Sequence, residues 1–310
     1  MTATLPDDVP APPTPDEASP TMTTTSSGAA GGSPASRAAR SPATGGTRPR
    51  LTLARVVRSE WIKLRTLRST WAMLAAVLLA TVGLGAIAAA SSTGAVEGPG
   101  DGGGGPGGGD PLSTVLSGSM LAVVLVGVLG VLVGAREYSS GLMRSTLAAV
   151  PARLPVLWAK VAAFLLAVVP VAVAGVLAAF AVGTTVLDAG GAPTVSWSDS
   201  GTAQVVLGTA AYVIGIGLMG LALGMLLRST AGAISALLAG VLVLPTLAGA
   251  LLPDSWDGLL RYLPSNAGAA FTSAVPVESL LAAGTGALVF VGWIVVALAG
   301  AAVALTRRDA

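Results

Sequence analysis

Residues able to perform acid–base, nucleophilic or metal chemistry are scarce in this chain. It contains no histidine and no cysteine, which excludes histidine bases, thiolate nucleophiles, disulfides, Cys/His zinc sites and histidine-bound haem. Its six long apolar stretches contain no Asp, Glu, Lys or Arg, so an intramembrane protease would lack its base, its metal ligands or its paired aspartates. We therefore predict no catalytic, cofactor-binding or metal-binding residue, and no enzyme activity of the chain itself.

The glycine-rich segment 97–111, EGPGDGGGGPGGGDP, has the composition of a phosphate-binding loop but not its pattern. A Walker loop needs G-x-x-x-x-G-K-[ST], whose lysine reaches the phosphates. The chain has two lysines, Lys63 and Lys160, and neither follows a glycine. We interpret the segment as a flexible connector and predict no nucleotide site in this chain.

Residues 136–160, REYSSGLMRSTLAAVPARLPVLWAK, carry the most informative pattern. The stretch from Ser139 to Val150 can form a short helix with one apolar side, and Pro151 and Pro155 end it. Such a helix presents an apolar surface either to a soluble partner protein or to lipid, and the residues alone leave both interpretations open. The apolar side consists of Leu142, Met143, Thr146, Leu147 and Val150.

Residues 51–69, LTLARVVRSEWIKLRTLRS, predict a basic amphipathic helix. Tryptophan on the apolar side and arginine elsewhere are typical of a helix that lies at the cytoplasmic membrane interface. A plain basic anchor ahead of the first span is the alternative. The predicted apolar face consists of Leu53, Val57, Trp61, Leu64 and Trp71. The residues predicted to contact the inner leaflet are Arg58, Trp61, Lys63 and Arg65.

Apolar stretches long enough to cross a bilayer dominate the remaining sequence. Charged residues make up 10% of the chain and the mean hydropathy is +0.79, whereas a soluble domain carries about 25% charged residues. A helix rises about 1.5 Å per residue, so roughly 20 residues cross a hydrocarbon core of about 30 Å. We therefore predict an all-α polytopic membrane protein. Its six transmembrane helices are predicted at 70–90, 115–135, 161–187, 202–227, 230–252 and 284–306.

The distribution of charge predicts the orientation of these helices. Of the 17 Lys and Arg residues, 16 fall on one side of the predicted spans, with Arg261 on the other. Basic loops face the cytoplasm, so we predict that both termini are cytoplasmic. Residues 1–50 include 38 Thr, Ser, Pro, Ala or Gly, too little apolar surface to offset the entropy of ordering, which predicts a disordered cytoplasmic tail. Residues 70–310 then form the membrane domain, with 136–160 as its longest cytoplasmic loop.

Proline and glycine patterns within the spans have several interpretations. Pro170 and Pro245 each remove a backbone hydrogen bond and predict a kink, which serves either as a gating hinge or as a static packing feature. Gly130-x-x-x-Gly134 and Gly220-x-x-x-Gly224 match a helix-packing motif. In a chain with 41 glycines such matches arise by chance, so no interface is assigned from them.

The 136–160 loop resembles the first cytoplasmic loop of type-2 ABC exporter permeases. The opening RSEWIKLRTLRSTW and the terminal residues 307–310 also resemble actinobacterial members, and the resemblance covers about 51–310. Leu142 is a departure, because the family commonly has threonine after the glycine. The matching positions are Glu137-Tyr138-x-x-Gly141, Arg144-x-Thr146-Leu147, Pro151-x-Arg153 and Lys160.

This resemblance implies a plasma-membrane export permease that binds no ATP, pairs with a second like or sister permease, and docks a separate ATPase subunit. Neither a cofactor nor a nucleic-acid partner is expected. It also implies a re-entrant or interfacial segment at 252–279 on the outer side. An ion-coupled secondary transporter and a membrane anchor subunit are the alternatives, the first disfavoured by spans without ionisable groups. The residues implied in ATPase docking are Glu137, Tyr138, Gly141, Leu142, Met143, Arg144 and Leu147.

Overall fold

The computed structural model describes residues 52–96, 110–139, 154–274 and 278–307. They belong to one compact unit within Pro49–Ala310, and the regular structure in these ranges is helical throughout. A π-helical turn, Ala239–Val243, and a 3-10 turn, Asp254–Trp256, interrupt the later helices. The α-helices are α1 Leu53–Thr66, α2 Arg68–Ser92, α3 Pro111–Val115, α4 Ser119–Ser139, α5 Leu154–Ala189, α6 Thr202–Leu227, α7 Thr230–Leu238, α8 Leu244–Leu251, α9 Asp257–Leu260, α10 Pro264–Thr272 and α11 Ala283–Arg307.

Six helices in the described ranges are long and apolar enough to cross a membrane, which confirms the predicted all-α fold with six transmembrane helices. Their mean hydropathy lies between 2.1 and 2.7 over the most apolar window of each. The fifth is continuous through α7, the π-helical turn and α8. The six run over Arg68–Ser92, Ser119–Arg136, Leu154–Ala189, Thr202–Leu227, Thr230–Leu251 and Ala283–Arg307.

The helix that contains the third span begins earlier than the predicted apolar stretch 161–187. Pro155, which we expected to help end a helix in the preceding loop, lies in the first turn of α5, and the expected loop helix itself falls outside the described residues. Proline fits there because its missing amide has no intrahelical acceptor at a helix start. The helix consequently extends over 36 residues, or about 54 Å. This length exceeds a hydrocarbon core of about 30 Å, so α5 is long enough to extend beyond that core.

Two prolines inside the spans are accommodated differently. Pro170 lies within α5, which continues through it. Pro245 follows the π-helical turn, where the amide of Leu244 donates to the carbonyl oxygen of Ala239, five residues earlier. A wider turn of this kind is a known cause of local helix bending. The fifth span therefore changes its helical geometry where proline removes a hydrogen bond.

Helices α4 and α6 form the most extensive helix pair and meet through glycines. A Cβ atom added at Gly130 would clash with the carbonyl oxygen of Gly217, and one at Gly220 would clash with the backbone of α4. Gly134 and Gly224 lie against the opposite backbone in the same way. The two Gly-x-x-x-Gly patterns, from which the sequence alone assigned no interface, face each other and allow the two backbones to touch.

The segment between the fifth and sixth spans packs beside the last helix. Tyr212, Phe271 and Phe290 bring α6, α10 and α11 together, with ring centroids 5.1 to 6.4 Å apart. The indole nitrogen of Trp293 donates to the carbonyl oxygen of Tyr262 at 2.8 Å. Trp293 lies ten residues into α11, about 15 Å along its axis. The segment is therefore held alongside the sixth span.

Candidate functional site

The predicted docking residues lie mostly beyond the described ranges. Gly141, Leu142, Met143, Arg144 and Leu147 are outside the described residues, and so is the side chain of Glu137. The described part of this site consists of the last turn of α4, which contains Glu137 and Tyr138, and the first turns of α5. Fourteen residues, 140–153, connect these two helix ends.

At the first helix end, Tyr138 contacts Arg228. The ring of Tyr138 is half-buried and packs against the main apolar core. The Cζ atom of Arg228 lies 5.0 Å from the centroid of that ring, within the range of a cation–π interaction. Arg228 follows the last residue of α6, and its Nη2 atom donates to the carbonyl oxygen of Ala304 in α11 at 3.4 Å. One guanidinium thus joins the ends of α4, α6 and α11.

At the second helix end, Lys160 of α5 forms a buried ion pair with Glu60 of α1. The Nζ atom of Lys160 lies 2.8 Å from Oε2 of Glu60, and the two side chains are 3% and 6% exposed. The other carboxylate oxygen, Oε1, lies 2.7 Å from Nζ of the more exposed Lys63. Buried charges are tolerated when they are paired in this way. The pair fastens α1 to the base of the loop.

Helix α1 packs on α5 through a face that partly overlaps the apolar stripe predicted by the helical wheel. Its buried residues are Val56, Glu60 and Leu64, and Val56 packs against Val156 and Ala159 of α5. Leu64 belongs both to this face and to the predicted stripe, and Val57 of the stripe packs against the same apolar cluster. Leu64 is buried, Val57 and Trp61 are half-buried, Leu53 is 52% exposed and Trp71 is 51% exposed. The predicted lipid-contacting cations Arg58, Lys63 and Arg65 are all exposed.

A hydrogen-bonded elbow joins α1 to the first span. Leu67 is extended, with φ −84° and ψ 111°, and separates the two helices. Beyond it, the indole nitrogen of Trp71 donates to the carbonyl oxygen of Arg65 at 3.0 Å, while the hydroxyl of Thr66 donates to carbonyl oxygens one turn earlier. These side chains donate to backbone carbonyls in the last turns of α1, where a helix C-terminus leaves carbonyls without intrahelical partners. Helix α1 is therefore held at both α5 and α2.

Sequence reasoning missed the roles of Glu60 and Arg228. Glu60 is the sole acidic residue in 51–69, and it falls beside Leu64 on the helical wheel. An acidic residue on an apolar face is the sequence signal that could have indicated a buried ion pair. In the sequence Arg228 is only one of the 16 basic residues on the same side of the predicted spans. Its contacts with Tyr138 and Ala304 depend on packing between distant helices. Within the part of the chain that the structure describes, no group of three or more His, Cys, Asp or Glu side chains could hold a metal ion.

No protein-family model matches this chain, and no curated protein sequence matches it. The sequence and structure together identify a multi-pass membrane protein with six apolar helices among its described residues. The resemblance of its 136–160 loop to type-2 exporter permeases stays a prediction from the residues.

Proposed function

We propose that this chain is the membrane-spanning permease subunit of an ATP-driven ABC exporter in the plasma membrane. Two permease protomers, alike or different, form the transport pathway between them. A separate ATPase subunit docks on the 136–160 loop of each protomer, on the same cytoplasmic side as both termini. The chain itself contributes no nucleotide site and no catalytic residue.

The observation that carries this proposal is that both ends of the loop are fastened to other helices. Tyr138 contacts Arg228 at the end of α4, and Lys160 pairs with Glu60 at the start of α5. A connector that only joins two spans requires no such contacts. A loop that is displaced by a partner must be held at both ends to the membrane helices. If either end moved independently of those helices, the displacement of the loop would not reach them.

The projecting start of α5 supports the same function. The predicted hydrocarbon-crossing stretch begins at Val161, so the Leu154–Lys160 extension lies beyond it. It carries Lys160 on its buried side and an exposed Trp158. Helix α1 packs against this extension and exposes Arg58 and Arg65, which suits a helix held against anionic headgroups. This arrangement supports the loop where a soluble subunit can reach it.

Docked ATPases would move both loops when ATP closes them, and the ends of α4 and α5 would follow. In this mechanism Leu142, Met143 and Leu147 bury in a groove of the ATPase, while Arg144 makes a polar contact at its rim. Glu137 stabilises the base of the loop. We assign Tyr138 to that base as well, since its ring already contacts Arg228.

The test is purification of the tagged chain from its native host in mild detergent. We expect a soluble ATPase to co-purify in stoichiometric amount, and Leu147→Asp to remove it because a buried carboxylate would meet an apolar groove. Leu259→Asp is the matched control: Leu259 is 62% exposed and lies between the fifth and sixth spans, on the opposite side in the proposed topology. This variant should keep the ATPase.

A transport-competent preparation that contains no ATPase and hydrolyses no ATP would refute the proposal. Transport that fails when ion gradients are collapsed, with ATP still present, would then identify an ion-coupled transporter. Stoichiometric capture of a different membrane enzyme would identify an anchor subunit.

A further inference from the structure

Arg228 has a backbone conformation that is uncommon for its residue type. Its φ is 54° and its ψ is 13°, which is the left-handed region. Among the described residues the other positive φ values belong to Gly94, Gly191 and Gly201. Arg228 ends α6, and its amide donates to the carbonyl oxygen of Gly224. Glycine is the residue most often found at this position, because it adopts the left-handed conformation without steric cost.

The side chain of Arg228 makes contacts that glycine would lose. It lies over the ring of Tyr138, two residues before the 140–153 segment. It also donates to the carbonyl oxygen of Ala304, in the last turn of α11, where a cation is favoured by the helix dipole. The contacts of the side chain offset the strain of the backbone.

We propose that Arg228 is a positioning residue that ties the base of the 140–153 segment to the cytoplasmic end of the last span. A displacement of the segment then reaches α11 at the membrane surface. Without Arg228 it would have to travel through the packing between helices. The inference deepens the proposed function, on which its transport consequence rests. The linkage itself, between the ends of α4 and α11, is independent of any partner.

Arg228→Gly separates the effect of losing the side-chain contacts from the effect of the left-handed backbone. Glycine relieves the left-handed strain, so the purified variant should retain the thermal stability of the wild type. It should nevertheless exchange backbone amides faster at 134–139 and at 300–307, by about tenfold at both ends, because each end loses its tie. Arg228→Lys keeps the charge and should restore part of the protection. Tyr138→Leu should increase exchange at 300–307 although it does not touch Ala304.

Arg261→Ala is the matched control. The Cζ atom of Arg261 lies 5.3 Å from the ring centroid of Tyr262, so the same type of contact is removed away from the cytoplasmic helix ends. It should leave exchange at 134–139 and 300–307 unchanged. Unchanged exchange at either end in Arg228→Gly would overturn the inference. If that variant loses its fold, Tyr138→Leu decides: normal exchange at 300–307 would overturn the linkage and faster exchange would support it.

A second readout separates this inference from the proposed function. In the complex with the ATPase, Arg228→Gly should keep the ATPase bound but reduce the ATP-dependent change in amide exchange at 300–307 by about tenfold, whereas Arg228→Lys should recover part of the loss. If no ATPase binds the wild type, the proposed function fails, and the exchange measurements still decide whether the linkage exists. A full ATP-dependent change in exchange at 300–307 in Arg228→Gly would overturn the transmitting role.

Discussion

We expect variants of Glu60 and Lys160, replaced singly and together, to differ in their free energies of unfolding. The differences follow from the geometry of the buried pair. Glu60→Leu removes the carboxylate that faces both lysines, and it leaves Lys160, 3% exposed, without that countercharge. Lys160→Met leaves Glu60 beside Lys63, whose Nζ atom is already 2.7 Å away. The first change should therefore be the more damaging.

The expected magnitudes come from the burial of each group. Removing one partner of a buried pair costs about 3–5 kcal/mol, which we expect for Glu60→Leu. Lys160→Met should cost about 1–3 kcal/mol, because the remaining carboxylate keeps one cation. Lys63→Met is the control: Lys63 is 44% exposed, so its ion pair should contribute about 0.5 kcal/mol.

The double variant Glu60→Leu/Lys160→Met tests whether the loss reflects charge. It replaces the pair with apolar side chains of similar size, and such replacements are often neutral or stabilising. We expect its free energy of unfolding to lie within about 1 kcal/mol of the wild type, which requires a coupling of several kcal/mol in the double-mutant cycle. The assay is reversible denaturant titration of the purified protein in mixed micelles.

Additive losses in the double variant would refute this reasoning, since they would mean that the two side chains contribute by packing rather than by pairing. Equal losses for Glu60→Leu and Lys160→Met would contradict the part assigned to Lys63.

Two further predictions concern the glycine contact and the interface helix. Gly220→Ala should destabilise the protein by about 1–3 kcal/mol, because its Cβ overpacks the backbone of α4. Gly240→Ala is the control, since Gly240 has open space around it, and it should not destabilise the protein. Equal melting temperatures for the two variants would contradict the packing account. We expect vesicles that contain anionic lipid to stabilise the protein more than neutral vesicles do. The double variant Arg58→Gln/Arg65→Gln should reduce this extra stabilisation by about 1 kcal/mol per arginine. If the variant keeps the full difference in melting temperature between the two kinds of vesicle, α1 lies away from the headgroups.

The sequence predicts the spans well because an apolar stretch of about 20 residues without charge has few other stable environments. It does not predict what joins them. Glu60 and Lys160 are one hundred residues apart, and only packing of α1 on α5 selects their pairing. The elbow at Leu67 contains no proline or glycine that would predict it from the sequence. It depends on the hydrogen bond from the indole nitrogen of Trp71 to the carbonyl oxygen of Arg65.

The candidate site was predicted by pattern rather than by contact. The docking residues within 137–147 follow from the family resemblance of the loop, while the described structure contributes the contacts at the two ends of that loop. Pro155 does not reveal where α5 begins, because proline is equally suited to a loop and to the first turn of a helix. The α4–α6 contact escaped because glycine is so frequent in this chain that its spacing carries little information.

The glycine contact between α4 and α6 also limits how the protein can deform. Packed helices commonly shear past one another through small adjustments of the interdigitated side chains. Where backbone meets backbone there are few side chains to adjust, so sliding would require the helices to separate first. The pair should consequently move as one rigid unit, and the relative motion of any working cycle should occur between this pair and the spans around it.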